Sequence, residues 1–186
     1  MSSNREELLA LLHRLSYEER EVTLTSGKKS NFYIDGKQTT CNARGAYLTG
    51  RLFYQQIRAA GIPVKGVGGL TMGADPIVAA VSVISAIEKD PLHAFLIRKE
   101  PKGHGKQLWI EGDKNLSPGD PVAIVEDVVT SGGSLLKAIE RARIHKLEVV
   151  MALTLVDRGE GGAELLKSHG LALQSLFTMA ELKNWR

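Results

Sequence analysis

Apolar residues recur at helical spacing at Leu8, Leu9, Leu11, Leu12 and Leu15. They follow a Ser3/Glu6 capping-box pair, which predicts a helix through about residue 16. Residues 22–25 and 31–34 then alternate well enough to predict two strands joined as a hairpin around Ser26-Gly27-Lys28-Lys29. Helical periodicity returns over 45–60 on Leu48, Leu52, Phe53 and Ile57, and Gly61 and Pro63 end it. A short strand over 65–69 runs into a glycine-rich loop, 68–73. Asp75-Pro76, read as an N-cap carboxylate and a first-turn proline, starts the helix carried by residues 77–87. Residues 94–97, 122–125, 149–156 and 171–177 are further apolar strand candidates. The helices between and after them cover 135 to about 145, 163–169, and 178–186 behind a Thr178 cap. Strands alternating with helices predict an α/β fold: a mainly parallel sheet flanked by helices on both faces, with a small N-terminal unit.

The densest chemistry lies at 122–134. Val122, Ala123, Ile124 and Val125 form a continuous apolar run after the turn at Ser117-Pro118-Gly119-Asp120, as suits a strand covered on both faces. Open α/β sheets hold their ligands at the rim where such strands end. Thr130-Ser131-Gly132-Gly133-Ser134 offers closely spaced N–H groups, hydroxyls and two glycines just before a helix, which makes an anion nest on a helix N-terminus. Glu126 and Asp127 just before it would repel a bare phosphate but accept hydrogen bonds from neutral hydroxyls. A phosphate beside a vicinal diol, as in ribose 5-phosphate, satisfies both halves. Each piece alone also fits a cap or a turn; the joint pattern is what points to a ligand. No Gly-Lys-Ser/Thr follows, and Gly-x-Gly-x-x-Gly is absent, so this is neither a Walker A loop nor a dinucleotide fingerprint.

Two other stretches carry charge to be explained. Arg98-Lys99-Glu100-Pro101-Lys102-Gly103-His104-Gly105-Lys106 holds four permanent cations, a titratable His and two glycines, which predicts a mobile basic loop or a solvated turn. Arg158 follows the strand 149–156 and could grip a planar carboxylate bidentately, or pair with Asp157 or Glu160.

Composition narrows the classes. The chain has 186 residues, enough for one domain, with 43% hydrophobic and 24% charged residues and no apolar run of membrane-spanning length. The N-terminus lacks a signal-peptide core, and a single cysteine, Cys41, allows no internal disulfide, so a cytoplasmic setting is expected. Cys41 reads as a small buried filler. The net charge of +3 favours anionic partners, but only 5% aromatics and no interleaved basic-aromatic surface argue against nucleic acid. His93, His145 and His169 lack ligand spacing, and there is no His/Cys cluster for zinc.

Val122 through Ser134 resembles the phosphoribosyl pyrophosphate (PRPP) signature of the type I phosphoribosyltransferases. The basic loop matches the orotate-specific members of that family, and so does the stretch Thr25-Ser-Gly-Lys-Lys-Ser-Asn-Phe-Tyr-Ile-Asp. The resemblance covers nearly the whole chain. It implies a single phosphoribosyltransferase domain over 1–186, with a hood of about 1–40 plus C-terminal elements and a flexible catalytic loop at 98–109. It also implies a homodimer in which that loop crosses to the neighbouring site. By the same resemblance Arg98, Lys99, Lys102 and His104 act on the pyrophosphate, with Lys102 the most rate-critical. PRPP is held by these four and by Glu126, Asp127, Val128, Val129, Thr130, Ser131, Gly132, Gly133 and Ser134. Orotate is held by Thr130, Arg158, Phe32 and Tyr33, the two rings being equally readable as core packing. Mg²⁺ would ride mainly on the substrate phosphates without a dedicated protein cage.

The sequence departs from the family pattern at two points: Thr25 and Met72 stand where lysines are common, with Lys28 and Lys29 close to the first. The implied reaction transfers phosphoribose from PRPP to orotate, giving orotidine 5′-monophosphate and pyrophosphate. The alternatives are transfer to another nucleobase and a PRPP-sensing regulator without catalysis.

Overall fold

The computed structural model describes residues 3–23, 29–101 and 109–185. In chain order the elements are α1 (Asn4–Leu15), β1 (Tyr17–Glu18), β2 (Val22–Thr23), β3 (Lys29–Ser30), β4 (Tyr33–Ile34), α2 (Lys37–Thr40), α3 (Ala43–Ala59), β5 (Gly66–Leu70) and α4 (Asp75–Ile87). They continue with β6 (His93–Ile97), β7 (Ile110–Glu111), β8 (Pro121–Val129), α5 (Gly133–Ile144), β9 (Glu148–Asp157), α6 (Gly162–Ser168), β10 (Leu173–Thr178) and α7 (Met179–Asn184).

The main sheet has the order β10-β9-β8-β5-β6-β7 and is parallel except for β7, which pairs antiparallel with β6. From β5 the chain moves outward to β6, and from β8 it moves the other way to β9 and β10. The switch point therefore lies between β5 and β8, where two loops diverge and leave a crevice.

Two cores sandwich the sheet. One buries Leu8 and Leu12 of α1, Leu48, Phe53 and Ile57 of α3 and Ile77 and Val81 of α4 against Val125 and Leu153. The other buries Leu135 and Ile139 of α5 and Leu166 of α6 against Ile124 and Ala152. Phe53, Leu48 and Ile124 are fully inaccessible, each such side chain contributing ~1.5–3 kcal/mol of transfer free energy. The middle of the sheet depends on side chains that are missing. A Cβ on Gly68 would lie 2.2 Å from the Phe95 ring, and one on Gly69 would lie 2.3 Å from the Val125 carbonyl oxygen.

The capping box at Ser3/Glu6 and the Thr178 cap form as expected, Glu181 completing a second box with Thr178, and Asn42 caps α3. Four expectations are corrected. First, β8 does not stop at Val125. Its long parallel neighbour β9 keeps the ladder going through Glu126 opposite Thr154 and Val129 opposite Asp157, so tertiary pairing outweighs the poor strand propensity of the acidic pair. Second, the hairpin pairs β2 with β3, whereas Tyr33 and Ile34 pair with Glu18 and Tyr17, a strand the alternation did not mark. Third, Asp75 is not the cap of α4. Ala74 occupies that position, and the Asp75 carboxylate accepts the Thr71 hydroxyl at 2.6 Å. Fourth, Cys41 is exposed, because it closes the one-turn helix α2 at the surface. Among the described residues no helix is long and apolar enough to cross a membrane.

Candidate functional site

β8 leaves the sheet at Val129, and the chain turns through Thr130 and Ser131 to Gly132, whose φ of +83° starts α5. A Cβ at Gly132 would be strained by that dihedral and would also sit 3.1 Å from Gly162 Cα. Gly162 in turn packs on the first loop, since a Cβ there would lie 2.4 Å from Val129 Cγ1. The Arg158 N–H donates to the Val129 carbonyl at 3.0 Å. The loops after β8 and β9 are thus fitted to each other through glycine. Residues 128–135 and Glu126 line a cavity of about 170 Å³ at the N-terminus of α5. Among the described residues no side chain caps α5, so its first N–H groups remain directed at that cavity.

Glu126 and Asp127 are both buried, at 7% and 8% exposure. Burial pushes the Glu126 carboxyl up to about 8, with the neighbouring Asp127 charge adding to the rise; Lys99 acts in the opposite direction. Asp127 is raised by burial, against the pull of Lys37. Burial and mutual repulsion thus disfavour two charges on this pair. Glu126 Oε2 is buried and has no hydrogen-bond partner among the described residues, and Asp127 Oδ1 accepts from Val128 N–H at 2.9 Å.

Glycine backbone closes around these carboxyls. A Cβ on Gly73, in the loop after β5, would sit 2.5 Å from Asp127 Oδ1 and 2.9 Å from Glu126 Oε1, and one on Gly36 would sit 2.9 Å from Asp127 Cβ. The turn after β5, which contains a cis Thr71–Met72 peptide, is therefore packed on the acidic pair through Gly73, and residues 68–70 of the expected loop belong to the strand. Met72 itself stands 66% exposed.

Lys37 escaped the sequence reading. Its Nζ lies 2.5 Å from Asp35 Oδ1 and 3.9 Å from Asp127 Oδ2. The hydrogen bond to Asp35 raises the Lys37 pKa; Asp35 is held low because bonds from Lys37 and Gln38 outweigh its burial. The available signal was Asp35-Gly36-Lys37, a carboxylate and a cation about a residue without a side chain.

Arg158 is turned inward, with only 4% of its side chain exposed, and its Nε and Nη2 both lie 2.8 Å from Glu160 Oε1. Its guanidinium sits 4.5 Å from the Phe32 ring centre, and Lys183 Nζ of α7 lies 4.0 Å from the same ring. Phe32 also packs beside Tyr17, and Tyr33 carries Arg20 at 4.6 Å. Arg158 stands at the rim, just past the end of β9, and here makes the alternative pairing, with Glu160. Phe32 packs on the core while joining a cluster with two cations.

Of the basic loop, Arg98 and Lys99 lie at the end of β6. Arg98 Nη1 lies 3.1 Å from Glu111 Oε1, and the Arg98 N–H donates to the Trp109 carbonyl at 2.9 Å. Between them, Thr71 and Leu96 a second cavity of about 410 Å³ opens. Lys102 and His104 lie outside the described residues, as do Thr25 and Lys28.

Residues 50–170 match the phosphoribosyl transferase domain model. The chain is 45% identical over 183 residues to the orotate phosphoribosyltransferase of Nostoc sp., covering 98% of this chain and 87% of the relative. Among solved structures it is similar to the Mycobacterium tuberculosis H37Rv orotate phosphoribosyltransferase in complex with Fe(III) dicitrate. That match has a TM-score of 0.81 and 36% identity, covering 97% of this chain and 99% of the other. The same organism's enzyme in complex with PRPP matches at a TM-score of 0.77 and 35% identity, with 97% and 99% coverage.

Proposed function

The chain belongs to the orotate phosphoribosyltransferases, and from that membership we propose that it transfers phosphoribose from PRPP to orotate, releasing pyrophosphate and forming orotidine 5′-monophosphate for pyrimidine synthesis. The observation that carries the reading is the pairing, at one switch point, of a buried acidic dyad with an uncapped helix N-terminus.

Backbone N–H groups and hydroxyls of Thr130 through Ser134 hold the 5-phosphate, with Val128 and Val129 lining the approach. Glu126 and Asp127 accept the ribose hydroxyls, giving Glu126 Oε2 the partner it lacks. The base lies against Phe32 and Tyr33 beneath a hood made of β1–β4 and α7. Thr130 and Arg158 face its polar edge. Two cations around Phe32 suit an anionic base better than a neutral purine.

Cleavage of the C1–oxygen bond leaves positive character on ribose and negative charge on pyrophosphate. Arg98, Lys99 and Lys102 neutralise the leaving group, and His104 hydrogen-bonds or protonates it. The oxygen donors of the dyad suit a hard cation held through its waters, so Mg²⁺ would sit near Glu126 and Asp127 while bound chiefly to substrate. When bound it supplies further neutralisation of the pyrophosphate.

A homodimer is the proposed assembly. Tyr47, Val83 and Ile87 are exposed at 41%, 60% and 67% beside an apolar groove of about 420 Å³ between α3 and α4, a face that a second copy would cover. The exposed free thiol of Cys41 suits a reducing cytoplasm.

The test is orotate consumption by the purified chain with PRPP and Mg²⁺, followed by ultraviolet absorbance with pyrophosphate release as a second readout. Matched, Mg²⁺-dependent loss of orotate and gain of pyrophosphate is expected. Turnover of a purine instead, or PRPP binding without turnover, would overturn the assignment. Recovery of activity on mixing Lys102→Ala with Asp127→Asn protein would test sharing of the loop between subunits.

A further inference from the structure

The segment that begins at Arg98 and returns at Trp109 leaves the sheet from the β6–β7 ladder, and its two ends are gripped by one side chain from elsewhere. Arg141, in the third turn of α5, donates from Nη1 to the Arg98 carbonyl at 2.5 Å and from Nη2 to the Lys99 carbonyl at 3.1 Å. The same guanidinium lies over the Trp109 ring at 4.0 Å from its centre. A planar cation with forked donors meets all three groups at once, which a lysine ammonium does not.

We infer that Arg141 is a positioning residue for the transfer reaction: it ties both ends of the basic segment to the helix whose N-terminus forms the phosphate nest, and so fixes Arg98 and Lys99 relative to bound PRPP. α5 is the one element that carries both the nest, at Gly133, and the tether, two turns further on. Lys99 is near enough for its charge to act on the Glu126 carboxyl, so a shift of its backbone is felt at the acidic dyad. Arg141 touches no proposed substrate position, and its action passes through the main chain of the two cations. The inference rests on the function proposed above.

The experiment compares wild type with Arg141→Met, Arg141→Lys and Arg141→Gln. It measures kcat, KM for PRPP, KM for orotate and thermal melting of the full chain; Arg143→Met, an exposed change on the same helix, serves as control. The expected result for Arg141→Met is a fall in kcat of ~10-fold or more, because small misplacements of charged groups near the reacting bond are costly. Its KM for orotate should stay within twofold and its melting temperature near that of the wild type. Arg141→Lys should recover part of kcat and Arg141→Gln less. Trp109→Leu combined with Arg141→Met should lose little more than Arg141→Met alone. Wild-type turnover with an unchanged kcat in Arg141→Met would overturn the positioning role alone. So would a kcat loss matched by an equal loss in Arg143→Met, or one that follows lowered melting temperature across all variants. A wild type that does not consume orotate would remove the parent reading, and this one with it.

Discussion

Two regions converge on the same crevice by different routes. From Pro121 to Ile144 a single stretch supplies a strand, an acidic pair, a nest and a helix, and most of its contribution is main chain. The cluster around Phe32 is assembled from three distant parts: the segment before β4, the loop after β9, and α7. On the proposed reading the first region takes the phosphate on main-chain N–H groups and the sugar on two carboxyls next to them in sequence. The second would meet the base, so its side chains could change without disturbing the nest. Contiguous residues would then serve the common chemistry, and converging side chains the selectivity.

The sharpest way to break this comparison is to replace the dyad carboxyls. Glu126→Gln with Asp127→Asn alters one neutral and one charged acceptor, worth about 2–4.5 kcal/mol together, so kcat/KM for PRPP should fall roughly 30–2000-fold. Unchanged kinetics would mean that the ribose hydroxyls bind elsewhere. Arg158→Ala should instead raise KM for orotate by about 10–100-fold and leave PRPP binding, measured by calorimetry, within a few-fold. Equal losses for both substrates would erase the division between regions.

A smaller effect is expected at Gly132. Alanine there meets the positive φ, at about 1–2 kcal/mol, so PRPP use should drop about tenfold while orotate KM stays flat. Glu160→Gln loosens a competitor of the substrate carboxylate. The pair is buried at Arg158 and only 33% exposed at Glu160, and its loss is worth about 1 kcal/mol, so KM for orotate should fall up to about fivefold, and a rise would show that Glu160 helps to orient Arg158.

The acidic pair also makes a pH prediction. Because the folded Glu126 pKa is raised to about 8 from an ordinary value of 4.5, its contribution to stability is full below about 4.5 and is lost as pH rises through about 8. Glu126→Gln should therefore raise the melting temperature of the ligand-free chain at pH 8.5 by roughly 2–4 °C, and not at pH 5. An equal shift at both pH values would locate the effect in packing rather than ionisation.

What could be read from the sequence follows the same division. The order of the parallel strands and their flanking helices, the Ser3/Glu6 capping box, the Thr178 cap and the nest on α5 were legible because each is written in contiguous residues. The true end of β8 was not, since a neighbouring strand decided it. The partner of Tyr33 and Ile34 was hidden because Tyr17 and Glu18 are too short a run to show alternation. Lys37 was missed for a related reason: its importance comes from Asp127, ninety positions away, brought close by glycines at 36 and 73. Arg158 could be placed at a rim, but its stacking on Phe32 required the fold.

The empty side-chain positions of β5 have a consequence for how this protein can change over time. Phe95, Ala74 and the Val125 carbonyl already occupy the space that a methyl group at Gly68 or Gly69 would need. Every missense change at either codon adds at least that methyl group. These two neighbouring positions have no neutral alternatives, and a deep mutational scan should find them depleted of all nineteen substitutions. Lineages of this enzyme would then be free to diversify at the rim while the centre of the sheet stays fixed.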